Sequence, residues 1–140
     1  MDASGNKPWL RGVILVGVVY FVAGIGFGAL AGWSASSQMR TIWRLAAWLT
    51  SAAAFAAHIG YEHFRLRSSP RTTALHSSVA AALGAFALAV AANLHAQWAA
   101  SGNHRLLTLA LALWPALTAV PAFVVALAAA AALARMRLGD

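Results

Sequence analysis

The stretch GVILVGVVYFVAGIGFGALAG, from Gly12 to Gly32, contains no charged residue. An α-helix rises about 1.5 Å per residue, so about 20 apolar residues are enough to cross the hydrocarbon core of a bilayer. Trp9 and Trp33 flank the stretch, and tryptophan is enriched where a helix meets the membrane–water interface. The stretch therefore predicts a transmembrane helix over approximately residues 10–33.

Three more apolar runs follow, and charged residues bound each of them; the approximate spans are 45–62, 75–98 and 106–134. The chain has 140 residues, of which 61% are hydrophobic and 9% are charged. Soluble domains are about 45–50% apolar and about 25% charged, and a small soluble fold buries only part of its apolar surface. The sequence thus predicts an all-α integral membrane protein, with residues 1–140 forming a single transmembrane domain as an antiparallel four-helix bundle.

The basic residues are distributed unevenly between the connecting segments. One side would carry seven of them: Lys7, Arg11, Arg65, Arg67, Arg71, Arg135 and Arg137. The other side would carry three: Arg40, Arg44 and Arg105. Because lysine and arginine are enriched in cytoplasmic loops, this distribution predicts that both termini are cytoplasmic.

The net charge of +7 would suggest nucleic acid in a soluble protein. Here the charges form short clusters between long uncharged runs, which favours a lipid bilayer as the partner and no nucleic acid. Arginine outnumbers lysine nine to one beside abundant alanine, a composition typical of GC-rich bacterial genomes. We therefore expect a bacterial cytoplasmic (inner) membrane.

Small residues and prolines predict how the helices pack. Gly24, Gly28 and Gly32 recur every four residues and form a groove on one face of the first helix. Such a groove lets another helix approach closely, either within the chain or in a homo-oligomer or larger membrane complex. Pro115 and Pro121 lie inside the fourth run and predict a kink, because proline lacks the N–H that a helix needs.

The residues whose side chains are most capable of binding a metal or a proton surround the end of the second run. His58 and Glu62 are four residues apart and share a helix face, and His76 lies near the start of the third run. Since a short turn joins these two helices, the three side chains are predicted to converge. Two histidines can hold the iron of haem b, histidines with a carboxylate can hold a divalent metal, and a histidine–carboxylate pair can relay protons.

A purely local arrangement is the competing interpretation of these residues. In it Glu62 pairs with Arg65 or Arg67 at the interface, and His63 is a solvated loop residue. The sequence has no HExxH, CxxCH or phosphate-loop pattern and no cysteine, so no catalytic residue can be assigned and enzymatic activity is not indicated.

Three classes of function remain open on these observations. The first is an accessory or self-associating membrane module that acts through its surfaces. The second is an oligomeric small transporter or proton-coupled carrier, since a chain of this size has to oligomerise to enclose a path. The third is a haem- or metal-binding redox module that uses His58 and His76.

Overall fold

The computed structural model describes residues 7–99 and 103–136, which form four helices. They are α1 (Pro8–Trp33), α2 (Ser37–Phe64), α3 (Pro70–Trp98) and α4 (His104–Met136). The prediction of an all-α fold is confirmed for this part of the chain. Of the basic residues counted above, only Arg137 lies outside the described residues.

Serine side chains start α2 and α3. The Ser36 hydroxyl accepts a hydrogen bond from the Met39 N–H at 3.1 Å, and the Ser69 hydroxyl accepts one from the Thr72 N–H at 3.2 Å. Pro70 follows at the first helical position, where no N–H is needed. Both helices therefore begin before the predicted apolar spans, because capping, and not hydropathy, determines where a helix starts.

The helices alternate in direction along the chain. Trp9 of α1 stacks on His76 of α3, and further along Gly24 faces Leu88, so α1 and α3 run parallel. At one end of α2 Trp43 stacks on Phe27 of α1. The other end of α2 lies beside the beginning of α1, so these two helices are antiparallel.

Helix α3 lies in the middle of the arrangement. It packs on α1 and on α4, whereas α1 and α4 do not touch each other within the described residues. Helix α2 packs along α1 and reaches the other two through its second half, where Ile59 packs against Ala74 of α3 and Ala126 of α4. The Asn93 side chain donates to the Leu107 carbonyl at 2.7 Å, which joins α3 to the beginning of α4.

Three of the helices, α1, α3 and α4, are long and apolar enough to cross a membrane. Many of their large apolar side chains are exposed, as lipid-facing positions require; Leu15, Val22 and Leu117 are examples. The 28 residues of α2 are also long enough, but Arg40, Arg44 and several polar residues lower its hydropathy. The protein is therefore a small helical chain with three candidate membrane spans.

Helices α1 and α3 approach each other closely at Gly17 and Tyr20 of α1, one to two turns before Gly24, the first of the three glycines predicted to pack. A Cβ added to Gly84 would lie 2.6 Å from the Cβ of Tyr20 and 3.2 Å from the Gly17 carbonyl oxygen. At Gly24 an added Cβ would lie 2.8 Å from the Leu88 side chain, whereas at Gly28 and Gly32 it would meet nothing within 4 Å. Within the described chain, only the first of the three predicted packing glycines therefore contacts another helix.

Pro115 and Pro121 both lie inside α4, which continues through them as one helix. The Thr118 hydroxyl, between the two prolines, donates to the Trp114 and Pro115 carbonyl oxygens, each at 3.0 Å. Serine and threonine side chains of this kind help to satisfy backbone groups near a proline in membrane helices. The kink itself stays a prediction.

One end of the arrangement collects most of the positive charge. The beginnings of α1 and α3 and the ends of α2 and α4 meet there, together with six exposed cations: Lys7, Arg11, Arg65, Arg67, Arg71 and Arg135. We call this the basic end. Arg40, Arg44 and Arg105 lie at the opposite end.

Candidate functional site

Glu62 lies in the last turn of α2 and its side chain is 0% exposed. Its Oε1 is 2.9 Å from Nδ1 of His76, and its Oε2 accepts a hydrogen bond from the Ser68 hydroxyl at 2.6 Å. Among residues 7–99 and 103–136 this is the only ion pair. The local interpretation, in which Glu62 pairs with Arg65 or Arg67, is therefore wrong.

The turn between α2 and α3 produces this arrangement. Arg67 adopts a left-handed backbone conformation with φ of 52°, which reverses the chain within a few residues. The Ser68 N–H then donates to the Glu62 carbonyl oxygen at 3.1 Å, so that the serine lies directly beside the carboxylate. Helix α3 begins two residues later and brings His76 back to the same depth as Glu62.

Helix α1 contributes Trp9, which covers the outer face of His76. The two rings are nearly parallel, with 4.6 Å between their centroids and an angle of 10° between their planes. This stacking holds the imidazole in the orientation that presents Nδ1 to Glu62. The site is thus built from three helices and one turn.

His58 lies one turn before Glu62 and is 3% exposed, but it faces a different helix. A Cβ on Gly12 of α1 would lie 3.4 Å from its Cε1 and 3.6 Å from its Nδ1. Its Nε2 is buried and has no hydrogen-bond partner among the described residues. The structure therefore brings Glu62 and His76 together and places His58 beside them, against α1.

His63 is also buried, at 5% exposure, and is not the solvated loop residue of the local interpretation. It belongs to the last turn of α2 and follows Ile59 by one turn, on the side that faces α3 and α4. Its ring meets Phe64 edge-on at 4.9 Å, and its Nε2 has no partner within the described part of the chain. Three of the five histidines of the chain therefore surround Glu62.

The described residues contain no group of three histidine or acidic side chains close enough to hold one metal ion. His76 has one ring nitrogen on Glu62 and one ring face on Trp9, while His58 turns toward Gly12. The structure thus brings a carboxylate and an imidazole into direct hydrogen-bond contact, an arrangement that can share a proton.

Some of these residues were missed by the sequence interpretation. Ser68 lies in the turn between α2 and α3, and Trp9 flanks the first predicted span, but neither position predicts contact with the Glu62–His76 pair. The spacing of six residues from Glu62 to Ser68 becomes informative only if the intervening turn is tight. Trp9 is distant in sequence, and only the parallel packing of α1 on α3 brings it to His76.

Comparison with known protein families, with curated proteins and with solved structures finds no match to this chain.

Proposed function

We propose that the chain is a self-associating membrane module that takes up and releases a proton at the Glu62–His76 pair. The observation that carries this proposal is the full burial of Glu62, the sole acidic residue between Asp2 and Asp140, in hydrogen-bond contact with His76. Ionisable residues inside membrane proteins commonly mark ion or proton sites, because placing them there is costly.

All four helices, including α2, cross the membrane in this proposal. The reason is geometric: α2 is antiparallel to α1 and packs against it from Gly12 to Phe27, so it cannot lie on the surface while α1 crosses. The concentration of cations at the basic end then supports cytoplasmic N and C termini, and a bacterial inner membrane is the host that the composition favours.

The charge of the pair depends on how many protons it holds. One proton is shared between Nδ1 of His76 and Oε1 of Glu62. The net charge of the pair is then −1 when Nε2 of His76 is unprotonated and 0 when Nε2 is protonated. Uptake of a proton therefore removes a buried negative charge, while Ser68 and Trp9 hold the two side chains in place. A change of this kind alters the local field and packing where three helices meet.

Infrared difference spectroscopy tests the proton directly. On acidification of the membrane-embedded protein we expect a carboxyl C=O stretching band from Glu62, and Glu62→Gln should remove it, since the amide keeps the shape but cannot titrate. His95→Gln, an exposed histidine at the far end of α3, is the matched control and should leave the band unchanged. A spectrum that Glu62→Gln does not alter would contradict the proposal.

Self-association is proposed from the uncovered part of α1. Gly28 and Gly32 lie on a candidate membrane span, and an added Cβ at either position would meet nothing in the described chain. Glycine in a helix interior costs about 0.5–1 kcal/mol relative to alanine, and close contact with a second helix would offset that cost. The partner favoured here is a second copy of the chain.

Gly28→Leu is expected to shift the protein from dimer or larger oligomer to monomer, because the new side chain blocks a close crossing between two chains. The fold should be retained, since within one chain the side chain enters open space. Light scattering of the detergent-solubilised protein measures the mass. Gly26→Leu is the control, since an added Cβ there also meets nothing while the residue lies on another face of α1. A monomeric wild type would contradict the self-association, and a Gly28→Leu variant with the mass of the wild-type oligomer would contradict the role of this face.

A proton-coupled carrier is less well supported by the same geometry. The cavity beside His58 extends only from Pro8 to Val19 on α1, which is about 16 Å of a helix about 39 Å long. A carrier needs access from both membrane surfaces, and a path across the whole membrane would have to form between chains. The module is therefore the function that the described site favours.

A further inference from the structure

A cavity of about 610 Å³ lies between α1 and α2 at the basic end, beside the Glu62–His76 pair but separate from it. This volume falls within the range of about 300–1,000 Å³ that is usual for sites of small ligands. The lining changes character along the helix axis. Arg11, His58 and Tyr61 lie toward the basic end, and Leu15, Val19 and Ala54 form the deeper walls.

This division suits a ligand with a polar head and an apolar tail. From Arg11 to Val19 the cavity follows α1 for about 12 Å, which accommodates a substantial part of a lipid chain. Leu15 lines the cavity and is 64% exposed, so the cavity opens sideways on the surface where a membrane-spanning α1 meets lipid. A ligand could therefore enter directly from the bilayer.

His58 is the buried polar group of this lining. It is 3% exposed, and its Nε2 forms no hydrogen bond with any described residue. A buried polar atom without a partner is unfavourable, and native structures usually satisfy such atoms. The edge of the ring that carries Nδ1 faces Gly12, which also lines the cavity, so Nδ1 is the imidazole atom placed to hydrogen-bond an oxygen atom of a ligand.

The surrounding charge determines the sign of the head group. Six exposed cations surround this end of the molecule, and the one carboxylate among the described residues, Glu62, is fully buried against His76 and Ser68. Of these cations Arg11 lines the cavity itself. The field at the mouth of the cavity therefore favours an anion.

We propose that this cavity binds an anionic phospholipid of the surrounding bilayer. The phosphate lies at Arg11, one acyl chain follows Leu15 and Val19, and an oxygen of the glycerol–ester region accepts a hydrogen bond from His58. The apolar walls and the lateral opening select a lipid and not a free phosphate ion. This inference does not depend on proton binding by Glu62 and His76, and its test leaves both residues unchanged.

The head-group arm of the test uses the full chain in nanodiscs that contain equal amounts of phosphatidylglycerol and phosphatidylcholine. After transfer to mild detergent, native mass spectrometry counts the phospholipids that remain bound. We expect phosphatidylglycerol to be retained about fivefold or more over phosphatidylcholine, and Arg11→Gln to lower its retention about fivefold, the effect of one basic residue at an anionic surface. Arg40→Gln, an exposed cation at the opposite end, should change nothing.

The tail arm fills the cavity. Gly12→Leu places a side chain against His58 and should abolish retention of the lipid, whereas Gly60→Leu on α2, where an added Cβ meets nothing within 4 Å, should retain it. If Gly12→Leu does not fold by circular dichroism, Ala54→Leu fills the same space from α2. Equal retention of the two lipids, no effect of Arg11→Gln, full retention in the filled variants, or displacement of the lipid by inorganic phosphate alone would each overturn the proposal.

Discussion

Glu62→Leu is expected to lower the free energy of unfolding by about 3–5 kcal/mol, the usual cost of removing one partner of a buried pair. The substitution removes the acceptor for both His76 Nδ1 and the Ser68 hydroxyl, and it leaves the imidazole enclosed between the new leucine and the ring of Trp9. Unfolding of the purified protein in mixed detergent micelles measures the loss.

The double variant Glu62→Leu/His76→Leu is expected to recover most of that stability. Replacing both partners of a buried pair by apolar residues of similar size is often neutral, because no buried charge or ring nitrogen is left without a partner. The Ser68 hydroxyl loses its acceptor but is only partly buried, so it can turn to water. The interaction energy from the complete cycle of single and double variants then measures the pair itself. Glu62→Gln should cost only about 1 kcal/mol, since an amide oxygen can still accept one of the two hydrogen bonds.

Equal losses for Glu62→Leu and for the double variant would contradict this account of the site. Leaving His76 without its acceptor would then carry no cost, and the contact with Glu62 would not account for the lost stability. The result would also remove the physical basis for a proton at this position, so the stability cycle and the infrared experiment test the same pair by independent observables.

The contact between Glu62 and His76 could be anticipated because few arrangements were available to these residues. Glu62 is the one carboxylate inside the chain, and long uncharged runs fix the approximate limits of the flanking helices. A short turn between antiparallel helices brings residues at similar distances from the turn to similar depth. The sequence did not fix the direction in which each side chain points around its helix axis. His58 shares a helix face with Glu62 but turns toward Gly12, and its depth in the bundle does not reveal this.

The packing of α1 was predicted less well, for a reason that concerns glycine itself. The regular spacing of Gly24, Gly28 and Gly32 describes a smooth face, but a face becomes a contact only where a neighbouring helix lies close to it. The close approach uses Gly17 with Gly84, neither of which belongs to that series. Glycines at the same spacing are equivalent in sequence and differ only in what faces them.

His63 is a second case in which the local sequence did not predict a contact, because this residue was expected to be solvated and is buried. Its position between Glu62 and a basic turn is typical of a solvated residue, yet the last turn of α2 is the part of that helix that reaches α3 and α4. Burial there follows from which helices meet at the basic end. That information is contained in long-range packing and not in the local sequence.

Gly84→Leu is expected to separate α1 from α3 and to lower the free energy of unfolding by about 3 kcal/mol, at the upper end of the usual cost of overpacking. Even a single added carbon would lie 2.6 Å from the Cβ of Tyr20 and 3.2 Å from the Gly17 carbonyl oxygen. Neither atom is the free end of a flexible side chain, so relief requires the two helix backbones to move apart. Unfolding in mixed micelles measures this effect as well.

Gly84→Ala and Gly26→Ala form a matched pair that isolates the contact from helix propensity. Alanine favours a helix over glycine by about 0.5–1 kcal/mol at either position. An added Cβ meets nothing at Gly26, so that variant should be equally or more stable, whereas Gly84→Ala should be less stable by about 1–3 kcal/mol. In a background with Tyr20→Gly, which lacks the closest clashing atom, Gly84→Ala should cost less than it does in the wild type. If both alanine variants gained stability, the close crossing of α1 and α3 would not exist in solution.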